Sequence, residues 1–108
     1  MDTNELLKTA IAQGASDVHI KVGSPPIMRV NGELMPIPGE KKLSQEDALK
    51  IAFSVMSPGQ REIFKKKNDL DLAYSVPGLG RFRCNVFIQR GDIGIVFRVI
   101  QVRIPSIE

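Results

Sequence analysis

The sequence predicts an α/β domain in the α+β arrangement, with a mostly antiparallel sheet of about six strands and three helices. Three observations carry this. Two segments with strict two-residue alternation meet at Gln89-Arg90-Gly91-Asp92. Phe82, Cys84, Val86 and Ile88 alternate with Arg81, Arg83, Asn85 and Phe87. Beyond the turn, Ile93, Ile95, Phe97 and Val99 alternate with Gly94, Val96, Arg98 and Ile100. An Asn31-Gly32 pair between two short apolar-rich runs is the second observation, because that dipeptide favours a tight hairpin turn. The third is a helix-start signature at Asp2, Ser44 and Ser57, each followed three residues on by Glu5, Asp47 or Gln60.

Taken in order, the first helix carries the apolar stripe Leu6, Leu7, Ala10 and Ile11 and stops at Gly14. A strand over 15–22 puts Ser16, Val18, Ile20 and Val22 on one side and Asp17, His19 and Lys21 on the other. Gly23-Ser24-Pro25-Pro26 turns the chain into the Asn31-Gly32 hairpin, formed by 27–30 and 33–37. Pro36, Pro38 and Gly39 end that hairpin. A second helix follows Ser44, with Ala48, Ile51, Ala52 and Val55 as its buried face. A third follows Ser57-Pro58, anchored by Ile63 and Phe64 and closed by Lys65-Lys66-Lys67. Leu70, Leu72, Tyr74 and Val76 then alternate with Asp69, Asp71, Ala73 and Ser75 in another strand. Pro77-Gly78-Leu79-Gly80 leads into the long hairpin.

The apolar sets of the long hairpin must face the core, so its arginines face outward. A four-residue loop places Arg83 directly opposite Arg98. A two-residue Gly-Asp loop places Asn85 opposite Arg98, with Arg83 on the diagonal. Either register gathers arginines on one face, where like charges repel unless something anionic sits nearby. Asp69 and Asp71 share that outer face and are expected to pair across the sheet with Arg81 and Arg83.

At 108 residues the chain supports one domain with one modest core. Its apolar content of 43%, charged content of 25% and net charge of +3 are those of an ordinary soluble domain. So mild a charge does not argue for nucleic acid. Cys84 is the only cysteine, so no disulfide forms within the chain; a buried, inert thiol is expected. No apolar run reaches the roughly 18 residues of a membrane span, and the N-terminus lacks a signal-peptide layout, so a cytoplasmic location is expected. Gly78-Leu79-Gly80 lacks the third glycine of a dinucleotide fingerprint and reads as a turn. The phosphate-cradling pattern G-x-x-x-x-G-K-[ST] is absent. Asp69-Leu70-Asp71 has no further acidic cluster to complete a metal site, and none is expected. His19 has no partner motif for zinc or a catalytic triad and reads as a hydrogen-bonding residue on a polar or interface strand face. The arginine set is the least easily explained as a solvated surface. Sheet-held guanidiniums suit bidentate recognition of phosphate or carboxylate.

Several blocks, in order, resemble a known family. Gly14-Ala15-Ser16-Asp17-Val18-His19-Ile20 is similar to its GASD-x-H signature, and Pro25-Pro26-Ile27-Met28-Arg29-Val30-Asn31-Gly32 to the block that follows. Asp69-Leu70-Asp71-Leu72-Ala73-Tyr74, Gly80-Arg81-Phe82-Arg83-Cys84-Asn85, Val96-Phe97-Arg98-Val99-Ile100 and Ile104-Pro105-Ser106 are similar to later blocks. Together they resemble the N-terminal domain of the type IV pilus retraction ATPases, within the wider secretion ATPase family. The resemblance implies a PAS-like domain over 1–103. It also implies that 104–108 begin a linker to a RecA-like motor domain, whose Walker motifs lie outside this chain. The implied whole is a homo-hexameric twitching-motility ATPase using ATP and Mg, working in the cytoplasm at the inner-membrane base of the pilus machine beside platform proteins. The implied role of this domain is non-catalytic. It docks on the neighbouring subunit's motor domain and helps complete that ATP site, with Arg81, Arg83 and Arg98 toward the phosphates and Asp17, His19 and Asp71 at the subunit interface. A small RNA-binding module and a stand-alone PAS-like sensor are the alternatives. The first is weakened because only Phe87 on the long hairpin is an outward aromatic.

Overall fold

The computed structural model describes residues 2–102, so the expected linker at 104–108 lies outside the described residues. The elements follow the expected order: α1 (Thr3–Ala12), β1 (Asp17–Lys21), β2 (Ile27–Val30), β3 (Glu33–Pro36), α2 (Gln45–Val55), α3 (Pro58–Lys67), β4 (Asp69–Val76), β5 (Gly80–Gln89) and β6 (Asp92–Val102). They build one six-stranded sheet in the order β3-β2-β1-β6-β5-β4. Every neighbouring pair is antiparallel. The sheet is thus two three-stranded meanders, joined in sequence through α2 and α3 and in space by the pairing of β1 with β6.

Local chemistry fixes the ends of the elements. Asp2 caps α1 by accepting from the Asn4 N–H at 2.9 Å; it does not form the reciprocal box expected with Glu5. Gly14, at φ 81°, closes the same helix: its N–H reaches Ile11 O, and the Ala15 N–H reaches Ala10 O. Both expected capping boxes form, Ser44 with Asp47 and Ser57 with Gln60. The backbone N–H of Ser44 that donates to the Asp47 carboxylate holds its pKa below the usual value. Asn31 and Gly32 both take positive φ and set the β2–β3 hairpin. The β5–β6 turn is tighter than the four-residue loop but keeps that loop's register, and it is shifted by one residue from the two-residue Gly-Asp loop. Arg90 and Gly91, at φ 54° and 82°, form a two-residue turn, because Gln89 and Asp92 stay paired.

The inner face of the sheet and the helices share one core. Leu7 and Ala10 of α1, Ile51 and Ala52 of α2, and Phe64 of α3 meet Val18, Ile20, Phe82, Val86, Ile95 and Phe97. Phe82 and Phe97 pack edge to face at 6.4 Å and 84°. Ile63 is not the anchor the sequence suggested: it is 46% exposed. Ile63 and Phe64 are adjacent and about 100° apart around the helix, and the core takes only Phe64. Arg61 ties α3 to α2 by donating to Phe53 O at 2.9 Å with its guanidinium over the Phe53 ring. Tyr74 donates to Asn4 Oδ1 at 2.6 Å, linking β4 to the start of α1. Its pKa is raised, chiefly by burial, and then by the Asp2 charge.

Two tests follow from this packing. A Cβ on Gly80 would run into the carbonyl oxygen of Gln101 across the irregular end of the β5–β6 ladder. Backbone cannot yield as a side-chain tip can, so Gly80→Ala should lower the urea midpoint, by about 1–3 kcal/mol of stability. Burial, then the Asp71 charge, pushes the Cys84 thiol up to about 12. At pH 8 the folded protein should therefore resist alkylation by iodoacetamide, and modification should appear only through the urea unfolding transition.

Candidate functional site

Because most apolar residues of the strands and of all three helices enter one core, the opposite sheet face is largely polar, with Val96, Phe87 and Ala73 among its apolar members. Its central feature is a row running across five strands. Arg29 of β2 faces Asp17 of β1, Asp17 faces Arg98 of β6, Arg98 faces Arg83 of β5, and Arg83 faces Ala73 of β4. The direct opposition of Arg83 and Arg98 is the first of the two registers weighed from the sequence. A second row, two residues along, runs His19, Val96, Asn85, Asp71.

The charges in these rows are unevenly matched. Asp17 Oδ2 lies 3.7 Å from Arg29 Nε and 3.8 Å from His19 Nε2. Arg29 also donates to Gly32 O at 3.0 Å, which fixes it to the hairpin turn. The His19 Nε2 atom is shielded from solvent and has no hydrogen-bond partner among the described residues. Among the described residues, no ion pair engages Arg81, Arg83 or Arg98. All three are exposed.

The expected pairing of Asp69 and Asp71 with Arg81 and Arg83 does not form. The β4–β5 register sets Ala73 against Arg83 and Ser75 against Arg81, while Asp71 meets Asn85 and Asp69 meets Phe87. Leu72 must meet Cys84, and Tyr74 must meet Phe82, on the core side, and this moves both carboxylates out of step with the arginines. Asn85 instead donates to Asp69 Oδ1 at 2.9 Å and to Leu70 O at 3.3 Å.

A concavity of about 470 Å3 on this face is lined by Asp69, Asp71, Arg83, Asn85, Val96 and Arg98. It brings together three of the residues singled out from the sequence: Arg83, Arg98 and Asp71. Arg81 is not among its lining residues and sits near the irregular end of β5. His19 lines a neighbouring concavity of about 490 Å3 with Lys21, Phe87, Arg90 and Gly94, and Val96 belongs to both. The Phe87 ring lies against Gly94, where it fills the space of a missing side chain. Among the described residues, no group of three His, Cys, Asp or Glu side chains is placed to hold a metal. No described helix is long and apolar enough to cross a membrane.

Sequence reasoning missed two members of the face, Arg29 and Asn85. The alternation of the short β2 is weak, but pairing Asn31-Gly32 as a two-residue turn fixes which face Arg29 occupies. Asn85 was visible as an outward residue, but its carboxylate partner depends on a register that the core sets.

No family model matches the chain. It is 38% identical over 108 residues to PilU, a type IV pilus ATPase of Pseudomonas aeruginosa, covering 100% of this chain and 28% of PilU. It is 36% identical to PilT, a type IV pilus retraction ATPase of the same organism, over 100% of this chain and 31% of PilT. The crystal structure of the pilus retraction motor PilT with bound ADP superposes with a TM-score of 0.89 at 34% identity, over 98% of this chain and 31% of that one. The chain matches the N-terminal region of PilT and PilU. It spans less than a third of the length of these PilT and PilU relatives. The six-stranded antiparallel sheet with three helices is the fold of the corresponding part of PilT.

Two unpaired arginines held opposite one another should cost stability when nothing neutralises them. Arg83→Gln is expected to raise stability by about 0.5 kcal/mol at low ionic strength. The gain should vanish in concentrated salt, where the repulsion is already screened. Chemical denaturation at two salt concentrations reads this directly.

Proposed function

We propose that this chain is the N-terminal domain of a pilus motor ATPase of the retraction type. It docks on the motor domain of a neighbouring subunit in a homo-hexameric ring, working in the cytoplasm at the inner-membrane base of the pilus machine. Its 108 residues contain no G-x-x-x-x-G-K-[ST] loop, so ATP and Mg are held by the motor domain and this domain is not itself catalytic. Arg83 and Arg98, with Arg81 beside them, face the phosphates of the neighbour's nucleotide. Asp17, His19 and Asp71 lie at the same subunit contact, and platform proteins of the inner membrane receive the motion.

One observation carries this reading: Arg83 and Arg98 stand side by side on the face of the sheet away from the helices, without a carboxylate partner among the described residues. A fold that keeps such a pair is positioned for an anion brought from outside. A guanidinium fixed by a strand can neutralise charge developing on a γ-phosphate, and its engagement depends on whether ATP is present. The likeness to PilT, whose structure holds ADP, supports a nucleotide on an adjoining motor domain as that anion.

In the full-length protein, Arg83→Ala and Arg98→Ala should each lower the ATPase rate per ring by tenfold or more while moving the thermal midpoint by only a degree or two. Unchanged activity in correctly assembled rings of both variants would contradict the role.

A further inference from the structure

Asp71 is the one acidic side chain of the 470 Å3 concavity that no hydrogen bond or ion pair holds among the described residues. Asp69, its neighbour on the same face, is occupied by Asn85. Asp71 lies opposite Asn85 and Arg83 lies opposite Ala73, so the Asp71 carboxylate sits on the diagonal from the Arg83 guanidinium. Diagonal positions stand about 7–8 Å apart at the backbone, within one physiological Debye length of roughly 8 Å, and no ion pair joins the two side chains among the described residues. Asp69 is four residues along the strand from the Arg83 row, or about 13 Å away. Both Asp71 and Arg83 are exposed, so each can swing within the concavity at little cost.

We infer that Asp71 is a built-in competitor for the phosphate-facing arginines: its carboxylate screens Arg83 and Arg98 when no external anion is present and must be displaced or tolerated when one arrives. The inference rests on the proposed phosphate-facing role of the arginine pair and adds a regulatory part to it. Such a competitor would raise the threshold of the site. A single-charge or weakly held anion fails to outbid Asp71, whereas a polyphosphate with several charges succeeds. The arginines then engage strongly charged phosphate groups and release weaker ones, which is the discrimination a nucleotide-sensing surface needs.

The test is a titration of the chain with inorganic pyrophosphate, followed by backbone amide shifts of β5 and β6. Asp71→Asn is expected to tighten binding about three- to tenfold at low salt, since removing one charge about 7 Å from a multiply charged anion changes its energy by that order in water. Asp69→Asn removes the same formal charge from farther away and should tighten it less. In an Arg83→Gln background, Asp71→Asn should give a smaller gain, because only the direct repulsion of the anion is then relieved. Equal gains from Asp69→Asn and Asp71→Asn would overturn the inference, because net charge alone would then explain them. Wild-type affinity in Asp71→Asn, with binding lost in Arg83→Gln, would overturn it too while leaving the arginine site intact. Absence of pyrophosphate binding in every form would remove both the inference and the arginine site on which it rests.

Discussion

The constraint on which everything else depends is that a sheet with helices on one side has its register set by that side alone. Phe82, Cys84 and Val86 must meet Phe97 and Ile95 in the core, with Leu72 and Tyr74 closing over them from β4. Shifting any of these strands by one residue would turn every apolar side chain out and every charged one in. Once the core is satisfied, the outer face has no freedom. Arg83 is placed against Arg98 because Cys84 is placed against Phe97. The repulsion between two guanidiniums is worth a few tenths of a kcal/mol, whereas stripping a phenylalanine from this core would cost about 3–5 kcal/mol. The core therefore dictates the register, and the arginine pair follows from it.

The same logic explains which ion pairs form. On the β1 side, Asp17 lies between Arg29 and Arg98 and is drawn to Arg29, which the Gly32 carbonyl holds in place. On the β4 side, the carboxylates fall out of step with the arginines, and Asn85 takes up Asp69. The positive charge of the face is left concentrated at its centre, across β5 and β6. A docking partner that brings phosphate to this centre would complete it, as the proposed function requires.

Much of this was legible in the residues, for reasons that differ along the chain. The long β5–β6 alternation and the Asn31-Gly32 turn are local signals, and the structure follows them closely. The caps at Ser44 and Ser57 are local too. Ile63 misled because apolar character alone does not say whether one or both of two adjacent helical residues turn inward, and tertiary packing here takes Phe64 alone. The two-residue turn is centred on Arg90-Gly91, not on Gly91-Asp92, because Arg90 accepts a left-handed conformation that sequence preference assigns to glycine or asparagine. The partners of Asp69 and Asp71 were misjudged because parity places a residue on a face but says nothing about its register against the next strand. Sequence could thus name the arginines and their face, while the absence of counter-ions around them required the full set of strand pairings.

The central claim is that the arginine pair acts on a nucleotide held by another subunit. The most direct measurement mixes two inactive forms of the full-length protein in one ring. One carries Arg83→Ala with Arg98→Ala, and the other has its own P-loop lysine replaced. If the arginines work across the subunit boundary, some mixed contacts join an intact arginine pair to an intact P-loop, and ATPase activity should return in proportion to their frequency. If mixed rings form and stay as inactive as either parent, the arginines do not complete a neighbour's site and the account is wrong.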